Sequence, residues 1–261
     1  MKSIAWDIWL YCNYDCKFCN TKTKILPDKI KDAGEILDAW RNIYKRYGRC
    51  RIYITGGEPF IYPGIFEIIQ KLSDLHDVHI TTNLSFDVNK LVSNKINKKN
   101  IFINATFHPF FVSFDKFISD FIKVKDKGYK ISAGYMCDDS QAAEMLNYKK
   151  AFASYGVIMT PSVYNGGKAY NEAARRFAIN GNFTCDDIEK DSIINSTAGG
   201  YCDAGKSYAC VNDKGDAFIC SVKRDCLGNI FDGTFRFSEK SVKCVNKCLL
   251  QENKYSQKDI L

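Results

Sequence analysis

From residue 4 to about residue 164, short runs of β-branched and aromatic residues alternate with longer amphipathic stretches, and this alternation constrains the fold more than any other feature of the chain. Repeated strand-helix units imply a parallel sheet with helices packed against it. Six strands are expected near 4–10, 51–55, 78–82, 101–107, 130–136 and 157–163, with helices near 29–47, 63–75, 87–97, 114–127 and 140–155. The first helix has Asp28 as its expected N-cap. Its apolar residues Ile36, Leu37, Trp40, Ile43, Tyr44 and Tyr47 recur at helical spacing until Gly48. Six such units make an α/β fold of the partial (βα)6 TIM-like barrel type, whose sites lie at the carboxyl ends of the strands.

Two motifs fall at those ends. Directly after the first strand comes Cys12-Asn13-Tyr14-Asp15-Cys16-Lys17-Phe18-Cys19, three thiols spaced x3 and x2. They can close on three corners of one metal cluster, one ligand short of the four that a closed iron-sulfur or zinc site uses. On spacing alone, a zinc site completed by a distant cysteine, or three unligated core thiols, stays open. After the second strand comes Gly56-Gly57-Glu58-Pro59. Paired glycines let a cofactor approach the backbone, and a carboxylate pairs with an ammonium, although Gly-Gly with Pro also makes simple turns.

A chain of 261 residues with 46% hydrophobic content can bury one large core, or a large core with a small appendage. No apolar run approaches the ~18 residues needed to span a bilayer, and no secretory signal pattern opens the sequence, so a cytoplasmic protein without membrane association is expected. In that compartment twelve cysteines point to metal ligation rather than disulfides. The formal charge of +7 is scattered in pairs such as Lys98-Lys99 and Lys149-Lys150. Without a basic stripe carrying stacking aromatics, a zinc module that binds nucleic acid is the disfavoured non-enzymatic reading.

With both motifs at this separation the sequence resembles the radical S-adenosylmethionine (SAM) superfamily, whose marks are CxxxCxΦC with an aromatic before the last Cys, here Phe18, and a GGEP segment. The resemblance implies that Cys12, Cys16 and Cys19 hold a [4Fe–4S] cluster whose open iron is chelated by SAM. It also implies that Gly56, Gly57 and Glu58 receive the methionine ammonium and that Thr106 or His108 after strand 4 contacts SAM, while the strand-end rule adds Asn83 after strand 3 as a further candidate cofactor contact. The implied reaction is reductive cleavage of SAM to a 5′-deoxyadenosyl radical that abstracts hydrogen from a substrate C–H. His108 and Asn83 are also readable as a loop histidine satisfied by backbone and an Asx-turn.

Between about 165 and 199 the alternation stops, and Arg175-Arg176 lie in what reads as a crossover of residues 166–198 leaving a core of residues 1–165. The remaining segment, 199–261, is cysteine-dense. Cys202, then Gly215, then Cys220 after four intervening residues resembles the Cys-gap-Gly-x4-Cys half of the SPASM and twitch extensions, which implies a small α+β domain with an auxiliary [4Fe–4S] cluster. Asn212-Asp213-Lys214-Gly215 is the expected hairpin turn within it. The implied ligands are Cys202, Cys220, Cys244 and Cys248, with Cys226 or Cys210 as substitute. Cys50, Cys137 and Cys185 read as small buried hydrophobes. A small polar metabolite of sugar or aminocyclitol type, oxidised or epimerised, is the expected substrate, and a ribosomal peptide is the alternative. Strand 1 begins at residue 4, so no N-terminal leader-binding domain is expected, and the implied partner is an electron donor such as flavodoxin or ferredoxin.

Overall fold

The computed structural model describes residues 1–17, 19, 26–27, 29–93, 96–137, 142–163, 201–221 and 224–243, without the side chains of 136–137, 142–143 and 161–163. Phe18, Asp28, Arg175, Arg176, Cys185, Cys244, Cys248, the segment 166–198 and the Cys137 side chain lie outside that description.

Six strands appear within two residues of expectation: β1 (Ser3–Trp9), β2 (Arg51–Gly56), β3 (Asp77–Thr82), β4 (Ile101–Phe107), β5 (Lys130–Cys137) and β6 (Met159–Val163). Between them run α1 (Ala33–Tyr47), α2 (Ile65–Leu75), α3 (Val88–Ser93), α4 (Phe114–Asp126) and α5 (Ala142–Ser154). After them come β7 (Tyr201–Cys202), β8 (Tyr208–Val211), β9 (Asp216–Phe218), β10 (Cys226–Asn229) and β11 (Val242–Lys243). Strands β1 to β6 pair in parallel in sequence order, giving the mixed α/β fold with a parallel sheet that the alternation implies. Among the described residues no helix is long and apolar enough to cross a membrane.

The first helix starts four residues later than expected. Its N-cap is Asp32, whose side chain accepts from Glu35 N at 2.8 Å while the Glu35 carboxylate accepts from Asp32 N at 3.3 Å. This reciprocal box satisfies two otherwise orphaned donors, which a cap placed before Lys29-Ile30-Lys31 would not provide. The third helix also ends sooner than residue 97, since Asn97 accepts from Lys99 N to cap a separate 3-10 turn.

The C-terminal strands extend the same sheet. Strand β8 runs parallel to β1, with Ile4 opposite Ala209 and Trp6 opposite Val211, and β9 and β10 continue antiparallel to give the order β10-β9-β8-β1-β2-β3-β4-β5-β6. Asn212 makes the expected hairpin, its carboxamide oxygen accepting from Lys214 N and Asp216 N. Strands β7 and β11 form a separate two-stranded ladder.

Burial alternates along β1 to β4. Ile4, Trp6, Ile8, Ile52, Ile54, Val78, Ile80, Ile101, Ile103 and Ala105 are buried in one continuous core with the helices. Trp6 packs on Trp40 of α1 at 5.2 Å between ring centroids, and Phe107 packs on Phe117 of α4 and Phe152 of α5. Removing such a side chain from water contributes ~1.5–3 kcal/mol each. The opposite face carries Asp7, Thr55, Thr81, Asn104 and Ser132, polar and incompletely buried. Register links Asp7 to Thr55, Thr81 to Asn104 and Asn104 to Ser132. Parallel sheets covered on both faces read as continuous apolar runs, so this alternation marks an inner face that, among the described residues, is not filled by core.

Candidate metal and cofactor centre

The ladder between β1 and β2 is regular to Asp7 and Thr55, then slips so that Trp9 faces Gly56. Beyond it, Gly57 N donates to Trp9 O at 2.8 Å and Glu58 N to Tyr11 O at 3.0 Å, tying the glycine motif to the chain that enters the cysteine loop. A Cβ on Gly56 would lie 2.1 Å from Trp9 O, and one on Gly57 1.9 Å from Tyr11 O. Gly56 also has φ +112°, which side chains rarely adopt. At both positions a side chain would run into the backbone of Trp9 or Tyr11, so the close approach of the two chain segments requires glycine.

Glu58 is 1% exposed. Its Oε1 accepts from Phe60 N at 2.9 Å and Thr82 Oγ1 at 2.7 Å, and its Oε2 from Asn83 N at 2.7 Å, so one carboxylate joins the ends of β2 and β3. Burial pushes its pKa up to about 7, the three donors offsetting only part of the desolvation.

Asn83 and His108 stand at the cysteine loop. Asn83 Nδ2 lies 3.8 Å from Cys12 Sγ and 3.1 Å from Asn13 Oδ1, and His108 Nδ1 lies 3.6 Å from Cys16 Sγ. Tyr14 stacks on Phe111 at 4.5 Å and meets His108 edge-on at 5.8 Å. Burial lowers the His108 pKa to about 4. Burial first, then the neighbouring Cys12 and Cys19, pushes the Cys16 thiol up to about 11. The three thiols therefore feel one another, yet among the described residues no three His, Cys, Asp or Glu side chains converge on a single-ion site. Three thiols on one eight-residue loop, with Cys12 and Cys19 both acting on Cys16, are a donor set that fits an iron-sulfur cluster. Thr106 lies on the inner face beside Gly134. Asp7 is raised, first by burial and next by Asp213, with Arg224 opposing.

In the C-terminal part Cys202 sits on β7, Cys210 on β8 and Cys226 on β10, and Cys220 follows β9. Cys210 Sγ lies 3.0 Å from Tyr208 Oη. Cys202 accepts from Ala204 N at 3.4 Å and Cys226 from Gly228 N at 3.3 Å, the same i to i+2 arrangement by which Tyr14 N reaches Cys12 Sγ at 3.4 Å. Asn13, Ser85 and the inner polar row escaped the sequence reading. The row left only a partial signal, in Asp7, Thr55 and Asn104 each following a buried apolar residue, because Ala5, Tyr53 and Phe102 occupy the same face of their strands.

Residues 7–104 match the sequence model of the Radical SAM superfamily. A GTP 3′,8-cyclase of Acaryochloris marina is 33% identical over 79 residues, 28% of this chain and 24% of the cyclase. An S-adenosylmethionine-dependent nucleotide dehydratase of Flammeovirga pacifica is 30% identical over 100 residues, 36% of this chain and 34% of that protein. The chain thus matches only a quarter to a third of the length of these curated relatives. Among solved structures, anSMEcpe with bound AdoMet superposes with a TM-score of 0.63 at 15% identity, covering 88% of this chain and 75% of that one. Streptococcus suis SuiB bound to S-adenosylmethionine gives 0.64 at 16% identity, covering 88% and 63%. The family match over residues 7–104, which contains both the cysteine triad and the glycine motif, together with this shared fold, supports the radical SAM superfamily as the family of this chain.

Proposed function

We propose that this protein is a radical SAM enzyme that acts on a small polar substrate held against the inner face of its sheet. The reading is carried by one observation: backbone hydrogen bonds of 2.8 Å from Gly57 N to Trp9 O and 3.0 Å from Glu58 N to Tyr11 O hold the Gly56-Gly57-Glu58 strand end against the chain immediately before Cys12. Cys12, Cys16 and Cys19 would hold the [4Fe–4S] cluster, and Gly56, Gly57, Glu58 and Thr106 are proposed as the strand-end residues at which SAM would bind. When bound, the reduced cluster supplies the electron that breaks SAM into methionine and the 5′-deoxyadenosyl radical that takes hydrogen from a substrate C–H. The chain's own part is to bind, orient and exclude water. Tyr14, Phe111 and His108 pack over the cysteine loop, and Asp7, Thr55, Thr81, Asn104 and Ser132 offer hydrogen-bonding groups across five strands. That row suits a sugar or aminocyclitol better than an apolar side chain. The named activities of the cyclase and dehydratase relatives add nucleotides as a second class to assay.

The C-terminal cysteines are proposed to hold an auxiliary cluster, with Cys202, Cys220, Cys244 and Cys248 as ligands. The i+2 amide at Cys226 supports that residue as the substitute ligand. A flavodoxin or ferredoxin is the proposed electron donor. The test is anaerobic reconstitution followed by reduction in the presence of SAM. Two clusters correspond to about eight irons per chain, with 5′-deoxyadenosine released, and Cys16→Ala should abolish that release. Zinc alone, or no 5′-deoxyadenosine under strong reduction, rejects the proposal.

A further inference from the structure

Two side-chain donors from adjacent strand ends reach two different thiols of the cysteine loop. Asn83, just past β3, brings Nδ2 to 3.8 Å from Cys12 Sγ, and His108, just past β4, brings Nδ1 to 3.6 Å from Cys16 Sγ. The Asn83 amide is locked in orientation. Its Oδ1 accepts from Ser85 N at 2.9 Å, its Nδ2 donates to Asn13 Oδ1 at 3.1 Å, and Asn13 Nδ2 donates to Ser85 Oγ at 2.8 Å. These links close a ring of three residues in which a flipped Asn83 amide would set donor against donor at Ser85 and acceptor against acceptor at Asn13. Backbone anchoring completes it, since Asn83 N is held by Glu58 Oε2 at 2.7 Å. On the other side, the His108 ring is kept in place edge-on to Tyr14, itself stacked on Phe111.

A metal-bound thiolate accepts hydrogen bonds and donates none, so with a cluster in place both contacts can only be N–H···S. We infer that Asn83 and His108 are positioning residues for the cluster rather than for SAM, each giving one N–H to a ligand sulfur and together raising the cluster's reduction potential. This inference rests on the cluster reading above. The electrostatic reason is general: a hydrogen-bond donor at the sulfur favours the more negative, reduced form, so the potential rises. Hydrogen bonds to charged groups are worth roughly a factor of ten or more. Only the difference between two oxidation states counts here, so each loss should lower the one-electron reduction constant by up to about tenfold, ~59 mV.

The experiment is a reductive titration of the anaerobically reconstituted, SAM-free protein, following the electron paramagnetic resonance signal that is absent from Cys16→Ala. Iron-replete Asn83→Leu and His108→Phe are expected to show midpoint potentials more negative than wild type. His108→Asn, whose amide nitrogen can occupy the place of Nδ1, should recover most of the shift. Asn83→Asp keeps the side-chain shape but sets a carboxylate beside the thiolate, and it is expected to give the largest lowering; it also serves if Asn83→Leu does not fold. Midpoints equal to wild type in iron-replete variants, with SAM affinity lost in equilibrium dialysis, would overturn the inference and assign both residues to SAM. Wild-type protein that takes up no iron would instead reject the cluster reading itself, so the two failures are distinguishable.

Discussion

At the scale of single residues, the carboxylate of the Gly-Gly-Glu-Pro motif is engaged by its own surroundings. Glu58 accepts three hydrogen bonds from Phe60, Thr82 and Asn83, and each donor belongs to a segment that frames the cysteine loop. Its pKa, raised from 4.5 to about 7 by burial, means that the native state binds this proton more tightly than the unfolded chain. Stability from this group is therefore full below pH 4.5, declines as pH rises and is lost above about 7, with a ceiling of about 3 kcal/mol. Denaturation midpoints of wild type between pH 4.5 and 7.5 should fall with pH more steeply than those of Glu58→Gln. Parallel pH profiles would show that the carboxylate keeps its ordinary pKa in the fold. At neutral pH Glu58→Gln should still cost ~1–3 kcal/mol, because an amide NH₂ must then face one of the three donors. The Gly-Gly-Glu-Pro motif singles out Glu58, but its role as a tie between strand ends was not legible, because its partners Thr82 and Asn83 are about 25 positions away and neither carries a charge that would advertise the pairing.

At the scale of elements, what was legible was whatever depends on neighbours in sequence. The six βα units could be read because each strand carries its own β-branched run and each helix its own periodicity, as in Ile36, Leu37, Trp40 and Ile43 of α1. The start of α1 was misread because Asp28 and Asp32 both suit an N-cap, and only the carboxylate at Glu35 distinguishes them. The pairing of β8 with β1 was illegible, since it joins Ser3–Trp6 to Tyr208–Val211 across some 200 residues and no local pattern encodes register at that distance. Its energetic meaning is testable. Strand β8 lies between β1 and β9, with Ala209 at 0% and Val211 at 2% exposure, so its ladder amides should open only with the sheet. In native-state hydrogen exchange, residues 208–211 are expected to be as protected as those of β1. Exchange at rates typical of exposed loops would mean that the C-terminal strands unfold independently of the core.

At the scale of the whole molecule, the sheet has, among the described residues, a packed face and a polar, incompletely buried face, and the division runs between adjacent residues of one strand. Ile54 and Ile80 are 0% and 1% exposed in the core shared with the helices, while Thr55 and Thr81, each the next residue along, belong to the polar inner row. Were the inner face merely a second core, its threonines and Asn104 would be buried polar groups, each needing a partner at the expense of stability. As the wall of a wet cavity they cost little, and what they retain is the ability to bind something polar. The two cases differ in what truncation does. Ile54→Ala and Ile80→Ala should each cost ~2–5 kcal/mol through lost burial and the cavity left behind. Thr55→Ala and Thr81→Ala should stay within about 0.5 kcal/mol of wild type, as surface substitutions do. Chemical denaturation of these four variants, with cluster content matched, reads the asymmetry directly. If the threonine variants lose as much stability as the isoleucine variants, the inner face is packed, and no substrate is held against it.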